Sequence, residues 1–169
     1  MCRKPRSSET FLLSSAALAN LSFLSPLILT AMSQMDTVSV LLSFLSHNIS
    51  PSIYIQDQVA TVLANMAARQ DTQDLLLNCD LVHVLLYLLA ASPTNSQLPV
   101  MAATQRVQQK AAIAIARLST QPSVMAGVLS GSGLERLVEL SVCKKARLDS
   151  DATLVAVIKS SHPVFPYIF

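Results

Sequence analysis

The sequence lacks most features that mark a catalytic or β-rich domain. Its 169 residues include 3 glycines and no tryptophan, and aromatic residues make up only 5%. No glycine-rich phosphate loop, nucleophile elbow or pair of carboxylates at catalytic spacing occurs along the chain. The sequence therefore predicts a protein that is not an enzyme and that needs no cofactor.

Charge is scarce as well. Charged residues make up 13% of the chain, whereas about 25% is typical of soluble domains. The formal net charge is +2 and there is no dense basic run, so nucleic acid is not an expected partner. A repeat protein with so few charges covers its ends poorly, which indicates a fragment, a short isoform without independent activity, or a chain that needs a partner.

Cysteine is rare and scattered. Cys2, Cys79 and Cys143 are odd in number and far apart, so they predict neither a disulfide framework nor a zinc site. The three histidines are isolated in the same way. We therefore expect no metal centre. Unpaired thiols fit a reducing compartment, so the predicted location is cytoplasmic.

The sequence is rich in the residues of packed helices. Hydrophobic residues make up 51% of it, mostly alanine, leucine and valine, a mixture that favours an all-α fold. A seven-residue unit occurs three times, as AALANLS at 16–22, TVLANMA at 61–67 and IAIARLS at 113–119. Self-similarity at steps of 45 and 52 residues predicts a stack of helical repeats.

The spacing of apolar residues and the positions of proline and glycine predict most of the helices. They are expected at 26–33, 35–46, 51–68, 72–78, 79–89, 99–119, 123–129 and 134–142. A degraded fourth repeat begins near Asp149. The predicted organisation is a flexible lead-in at 1–9, a repeat domain at 10–160 and an irregular tail at 161–169.

An uncharged stretch follows Glu9 and lasts until Asp36. Residues 11–31 have the composition of a signal peptide or a membrane anchor, which leaves open a secreted or membrane-anchored protein. Two buried repeat helices are the favoured interpretation, because the same seven-residue unit returns inside the chain, where no signal peptide lies.

One long, one short and one medium helix in each unit of about 42 residues resembles the armadillo repeat. The resemblance covers about residues 11–160. The segment GSGLERLVEL, which ends at Leu140, resembles the glycine-initiated second helix of that repeat, and LANLS at 18–22 resembles its third helix. The resemblance implies a right-handed α-solenoid of about three repeats plus the degraded fourth.

The resemblance also implies a binding surface. In armadillo proteins the third helices line a concave groove, and an asparagine at the position matched by Asn20 and Asn65 bonds the backbone of an extended peptide. An amide suits that role because it both donates and accepts. We call these matched positions the ladder. The third ladder position is Arg117, and Gln58 is placed in the same groove. The open alternative is that these amides tie one helix to the next.

A basic stripe accompanies the ladder. Arg106, Lys110 and Arg117 lie within about 40° of one another around the helix at 99–119. The positions four residues before the ladder carry no tryptophan, which the lysine-binding pockets of nuclear-import receptors use. The sequence therefore predicts an acidic, extended or C-terminal peptide as ligand. The open alternative is that the three cations only form a solvated face.

The C-terminal part is similar to the armadillo domain of inscuteable-type adaptor proteins. The similarity lies in GLERLVEL at 133–140, Arg147, Ser150-Asp151 and LVA at 154–156. It implies an adaptor of cell polarity and spindle orientation in asymmetric cell division, acting at the cell cortex. The implied partners are polarity-complex proteins and a TPR-type spindle adaptor, with at most indirect membrane association. The segment 159–169 departs from the family pattern.

Overall fold

A computed structural model describes residues 7–47, 51–77 and 80–142. The predicted fourth repeat, the tail at 161–169, most of the lead-in and the three cysteines lie outside these ranges. Across the described ranges the chain forms nine α-helices and no strand. They are α1 (Ser8–Leu24), α2 (Pro26–Gln34), α3 (Thr37–His47), α4 (Ile53–Ala67), α5 (Gln70–Leu77), α6 (Leu81–Leu89), α7 (Leu98–Leu118), α8 (Pro122–Ser130) and α9 (Gly133–Val142).

Local signals set the helix ends. The Ser7 side chain accepts a hydrogen bond from the Thr10 amide at 3.2 Å and caps α1. Ser52 does the same for α4, through the Tyr54 amide at 3.3 Å. Helices α2, α7 and α8 each carry proline in their first turn. The N–H that proline lacks would have no acceptor within the helix at that position. The all-α prediction is confirmed, and the predicted helix bounds agree with the structure to within two residues.

The three long helices stack in sequence, with α4 packed between α1 and α7. Helix α4 is buried on both sides: Val59, Val62, Leu63 and Met66 have no exposed surface. Each such apolar side chain contributes about 1.5–3 kcal/mol relative to an exposed one. The repeat unit is therefore held together mainly through the two faces of its long helix.

The short and medium helices flank this stack. The Phe11 ring of α1 stacks on the Phe44 ring of α3, with centroids 3.6 Å apart. Helix α6 packs on α7, α8 and α9 and buries five apolar side chains, namely Leu81, Val84, Leu85, Leu88 and Leu89. The chain thus forms a solenoid of three-helix repeats.

The scarce glycines lie where helices approach closely. Helix α9 begins at Gly133, one residue before its predicted start, and this residue is buried. A β-carbon there would lie 2.9 Å from the Val128 carbonyl oxygen and 2.5 Å from a Leu86 methyl. At Gly127 a β-carbon would lie 2.6 Å from a methyl of Val82. Glycine therefore lets α6, α8 and α9 pack together.

Residues 11–31, which carry no charge, form most of α1 and part of α2. Phe11, Ser15, Ala19 and Ser22 of α1 are buried. In the part of the chain that the structure describes, no single helix has the length and hydropathy to cross a membrane. Two adjacent helix pairs reach those criteria when taken together, Leu27–Gln34 with Thr37–His47 across a 65° bend and Gln70–Leu77 with Leu81–Leu89 across a 98° bend.

Candidate peptide-binding surface on the long helices

The ladder positions lie at equivalent places near the C-terminal ends of α1, α4 and α7. Asn20 and Arg117 are exposed, and Asn65 is half-buried. Since the three helices stack side by side, the ladder positions lie along one edge of the stack. The structure therefore brings Asn65 and Arg117 together, with Asn20 at the open side of α1.

Asn65 and Arg117 make the same contact with the preceding long helix. The Asn65 side-chain amide donates to the Ser22 hydroxyl at 2.9 Å and to the Ala19 carbonyl at 3.5 Å. The Arg117 guanidinium donates through Nη1 to the Ala64 carbonyl at 2.6 Å. Ala19 and Ala64 each come directly before a ladder position, so the two bonds are equivalent. The ladder residues thus tie successive repeats together, the structural role that the sequence left open.

These ties use only part of the polar capacity of the two side chains. Within the described ranges, no group donates to the Asn65 amide oxygen. A guanidinium has five N–H donors, and Arg117 uses one of them on Ala64. An acceptor and several donors therefore remain at the ladder edge for a ligand.

A cavity of about 250 Å³ opens at this edge, and we call it the ladder pocket. Both apolar and polar residues line it. The lining residues are Ser22, Phe23, Leu29, Asn65, Ala68, Arg69 and Arg117. The Phe23 side chain is 81% exposed, so an aromatic surface lies at the rim of a basic pocket. Asn20 and Gln58 do not line it.

Sequence reasoning missed Arg69, which lies in the turn between α4 and α5, four residues after Asn65. The Arg69 guanidinium donates to both carboxylate oxygens of Asp71, at 3.0 and 2.8 Å. This hydrogen bonding lowers the pKa of Asp71 and raises the pKa of Arg69. The pair is solvent-exposed and holds the guanidinium at the pocket.

The opposite end of the α4–α7 contact contains a second polar group, the Asp57 cluster (Asp57, Thr61, Arg106 and Lys110). The Asp57 side chain is 6% exposed. It accepts from Arg106 Nε at 2.9 Å and from Lys110 Nζ at 2.7 Å. Lys110 also donates to the Thr61 hydroxyl at 2.6 Å. Two cations of α7 are therefore paired with one carboxylate of α4.

The predicted basic stripe is thus divided. Arg106 and Lys110 point into the Asp57 cluster, whereas Arg117 lies in the ladder pocket. Asp57 was missed, but the sequence holds a signal for it: it is the only charged residue between 51 and 68. A lone carboxylate in an apolar helix requires a partner when it is buried.

Two glutamines, also missed, have equivalent structural roles. Gln56 donates to the Pro51 carbonyl at 2.9 Å, and Gln108 donates to the Ala91 carbonyl at 2.7 Å. Gln56 fixes the first turn of α4 to the segment before it, and Gln108 fixes the middle of α7 to the segment that follows α6. Gln58, predicted as a groove residue, is half-buried on α4. The described residues contain no group of three or more His, Cys, Asp or Glu that could hold a metal ion.

Solved structures resemble this fold. A designed armadillo repeat protein matches 94% of this chain and 77% of its own, with a TM-score of 0.53 and 13% sequence identity. A second engineered protein matches 93% of this chain and 58% of its own, with a TM-score of 0.68 and 19% identity. These similarities establish the armadillo-type solenoid that the sequence predicted.

The sequence comparisons identify the family of this chain, whereas the structural comparisons show only its fold. The chain is 35% identical over 159 residues to the human protein inscuteable homolog and 34% identical to the mouse protein, and each match covers 94% of this chain. The chain spans about 28% of the length of these relatives. The family described as "Protein inscuteable C-terminal" matches residues 1–164. The chain therefore belongs to the inscuteable C-terminal family.

Proposed function

We propose that this module is a non-enzymatic scaffold for protein–protein interaction, and that it binds an extended segment of a partner protein along the ladder edge of its long helices. Family membership and the armadillo-type fold support the scaffold role. Solenoids present long continuous surfaces of this kind. The finer assignment depends on the ladder pocket.

The observation that carries the assignment is the mixture of groups in that pocket. The Asn65 amide oxygen accepts, the Arg117 guanidinium donates, and Phe23 and Leu29 supply an apolar wall. An extended peptide offers backbone N–H groups to the Asn65 oxygen and backbone C=O groups to the Arg117 guanidinium. Its side chains can cover the apolar surface. The contact is therefore available to a peptide of many sequences.

Charge narrows the class of ligand. In the described ranges Arg117 has no carboxylate partner, whereas Arg69 is paired with Asp71 and Arg106 and Lys110 with Asp57. A guanidinium with open donors binds carboxylates in a bidentate manner. The proposed ligand is therefore an extended segment with an acidic side chain or a C-terminal carboxylate. Its affinity falls as salt rises, because the pocket is open to solvent.

The proposed setting follows from the family. Resemblance to inscuteable-type adaptors supports a cytoplasmic adaptor at the cell cortex, in polarity and spindle orientation during asymmetric division. Polarity-complex proteins and a TPR-type spindle adaptor are the proposed partners. Contact with the membrane would then be indirect, through those proteins.

The test selects peptides from a random displayed library against the purified chain and measures their affinity for two variants. Arg117→Ala removes the guanidinium whose open donors the proposal assigns to the ligand, together with its bond to the Ala64 carbonyl. Arg136→Ala is the matched control, because Arg136 also donates to a backbone carbonyl of another repeat, that of Leu89 at 3.3 Å, but lies on α9 outside the pocket. We expect acidic peptides that bind Arg117→Ala at least tenfold more weakly and Arg136→Ala unchanged. Equal affinities for all three proteins would overturn the proposal.

A further inference from the structure

The ladder pocket contains a large aromatic side chain that faces solvent. Phe23, at the end of α1, is 81% exposed and lines the pocket together with Leu29 of α2. Covering an aromatic ring with an apolar group is favourable, because it removes apolar surface from water. Phe23 therefore offers a contact to an apolar side chain of a ligand, beside the polar groups of Asn65 and Arg117.

The repeats show that the exposure of Phe23 belongs to its position. Phe23 directly follows the first seven-residue unit, and Ala68 and Thr120 directly follow the second and third. All three are exposed. Ala68 is exposed even though α4 is packed between α1 and α7. This position thus faces solvent where a long helix is flanked on both sides, and only in the first repeat is it occupied by an aromatic residue.

The size of the pocket limits how a ligand can use both kinds of group. Phe23 and Arg117 line the same cavity of about 250 Å³, and a sphere of that volume is about 8 Å across. In an extended chain, residues two apart point to the same face and lie about 6.6 Å from each other, whereas adjacent residues point to opposite faces. A side chain four residues away lies about 13 Å off, beyond the cavity. Two ligand side chains separated by one residue therefore fit the pocket together.

We propose that the ladder pocket recognises a two-residue motif in the extended segment, an inference that rests on the function proposed above. An acidic residue pairs with Arg117. Two positions away, on the same face of the ligand, a large aliphatic or aromatic residue packs on Phe23 and Leu29. Ala68, which also lines the pocket, is small and leaves room for that side chain. The motif supplies the sequence specificity that backbone contacts with Asn65 lack.

The first experiment selects displayed peptides against the purified chain. The library consists of short sequences with one fixed central glutamate and random residues at every other position. We expect Leu, Ile, Met, Phe, Tyr or Trp to be enriched two positions from the glutamate. The positions directly beside the glutamate should show no such enrichment, because their side chains point away from the pocket.

A double-mutant cycle then assigns the apolar contact to Phe23. Fluorescence anisotropy measures the affinity of one selected peptide and of its version with alanine at the apolar position. We expect Phe23→Ala to bind the selected peptide at least tenfold more weakly and to bind the two peptides about equally. Phe23→Leu and Arg117→Ala should still prefer the apolar peptide, since each keeps an apolar side chain at position 23. Leu13→Ala is the matched control, because Leu13 is 72% exposed on the same helix but does not line the pocket.

The outcomes separate this inference from the function on which it rests. Glutamate-containing peptides that bind without an apolar preference, or a preference that persists in Phe23→Ala, would overturn the motif and leave binding of acidic peptides standing. Apolar enrichment directly beside the glutamate would overturn the proposed spacing. If no peptide binds the wild type, the proposed function fails and the motif with it. Circular dichroism verifies that the variants fold, as expected for the largely exposed Phe23 and Leu13.

Discussion

The two ends of the α4–α7 contact use polar residues in opposite ways. At one end, Arg106 and Lys110 are paired with the buried carboxylate of Asp57. At the other, Arg117 gives a single bond to a backbone carbonyl and keeps its other donors for the ladder pocket. Cations on one helix face thus have different roles, because the facing helix offers a carboxylate to two of them and a carbonyl to the third.

The largest expected effect on stability comes from removing the carboxylate of the Asp57 cluster. Asp57→Ala removes two charge-assisted hydrogen bonds and leaves Arg106 and Lys110 without their acceptor. Since both cations are partly exposed, we expect a loss of about 2–4 kcal/mol in the free energy of unfolding. Chemical denaturation measures it. A loss below about 1 kcal/mol would contradict the view that this cluster clamps α7 to α4.

A destabilising substitution outside both the Asp57 cluster and the ladder pocket separates effects on stability from effects on peptide binding. Gly133→Ala places a β-carbon against the Val128 carbonyl and Leu86, and we expect it to lower the free energy of unfolding by about 1–3 kcal/mol. The melting temperature falls while the affinity for a selected peptide stays that of the wild type. If this variant also loses affinity well below its melting temperature, the effects of ladder variants report general destabilisation instead of contact.

A smaller effect on stability is expected at the ladder end. Asn65→Ala removes the amide that donates to Ser22 and Ala19, at a cost of about 0.5–1.5 kcal/mol for a neutral hydrogen bond. Unlike Gly133→Ala, it should also weaken peptide binding, because the Asn65 oxygen is lost from the pocket. Denaturation and isothermal titration together measure the two losses. Lower stability with unchanged peptide affinity would show that Asn65 only joins α4 to α1 and does not bind the peptide.

The fold was predictable because its signals are local. The recurrence of LAN and IAR units, the apolar spacing and Gly133 each reflect one helix or one close approach, which neighbouring residues specify. The ladder residues Asn65 and Arg117 emerged from the same repetition. Their family role in peptide binding and their structural role as ties were both open from the sequence.

The pairings within the site were not predictable. Asp57 and Arg106 are 49 residues apart, and their contact depends on how far α7 slides along α4. Helix periodicity fixes the face on which Lys110 and Arg117 lie, but not the group opposite each of them. Arg69 was missed for the same reason, since its place in the pocket depends on α1 supplying Ser22 and Phe23.

The most direct test compares the Asp57 cluster with the ladder pocket in one molecule. It follows the arginine Nε–H and asparagine side-chain resonances by NMR during titration with a selected acidic peptide. The structure predicts large shifts for Arg117 and Asn65, and none for Arg106, whose Nε–H is held by Asp57. Shifts at Arg106 with none at Arg117 would contradict the assignment of the ladder pocket as the binding surface.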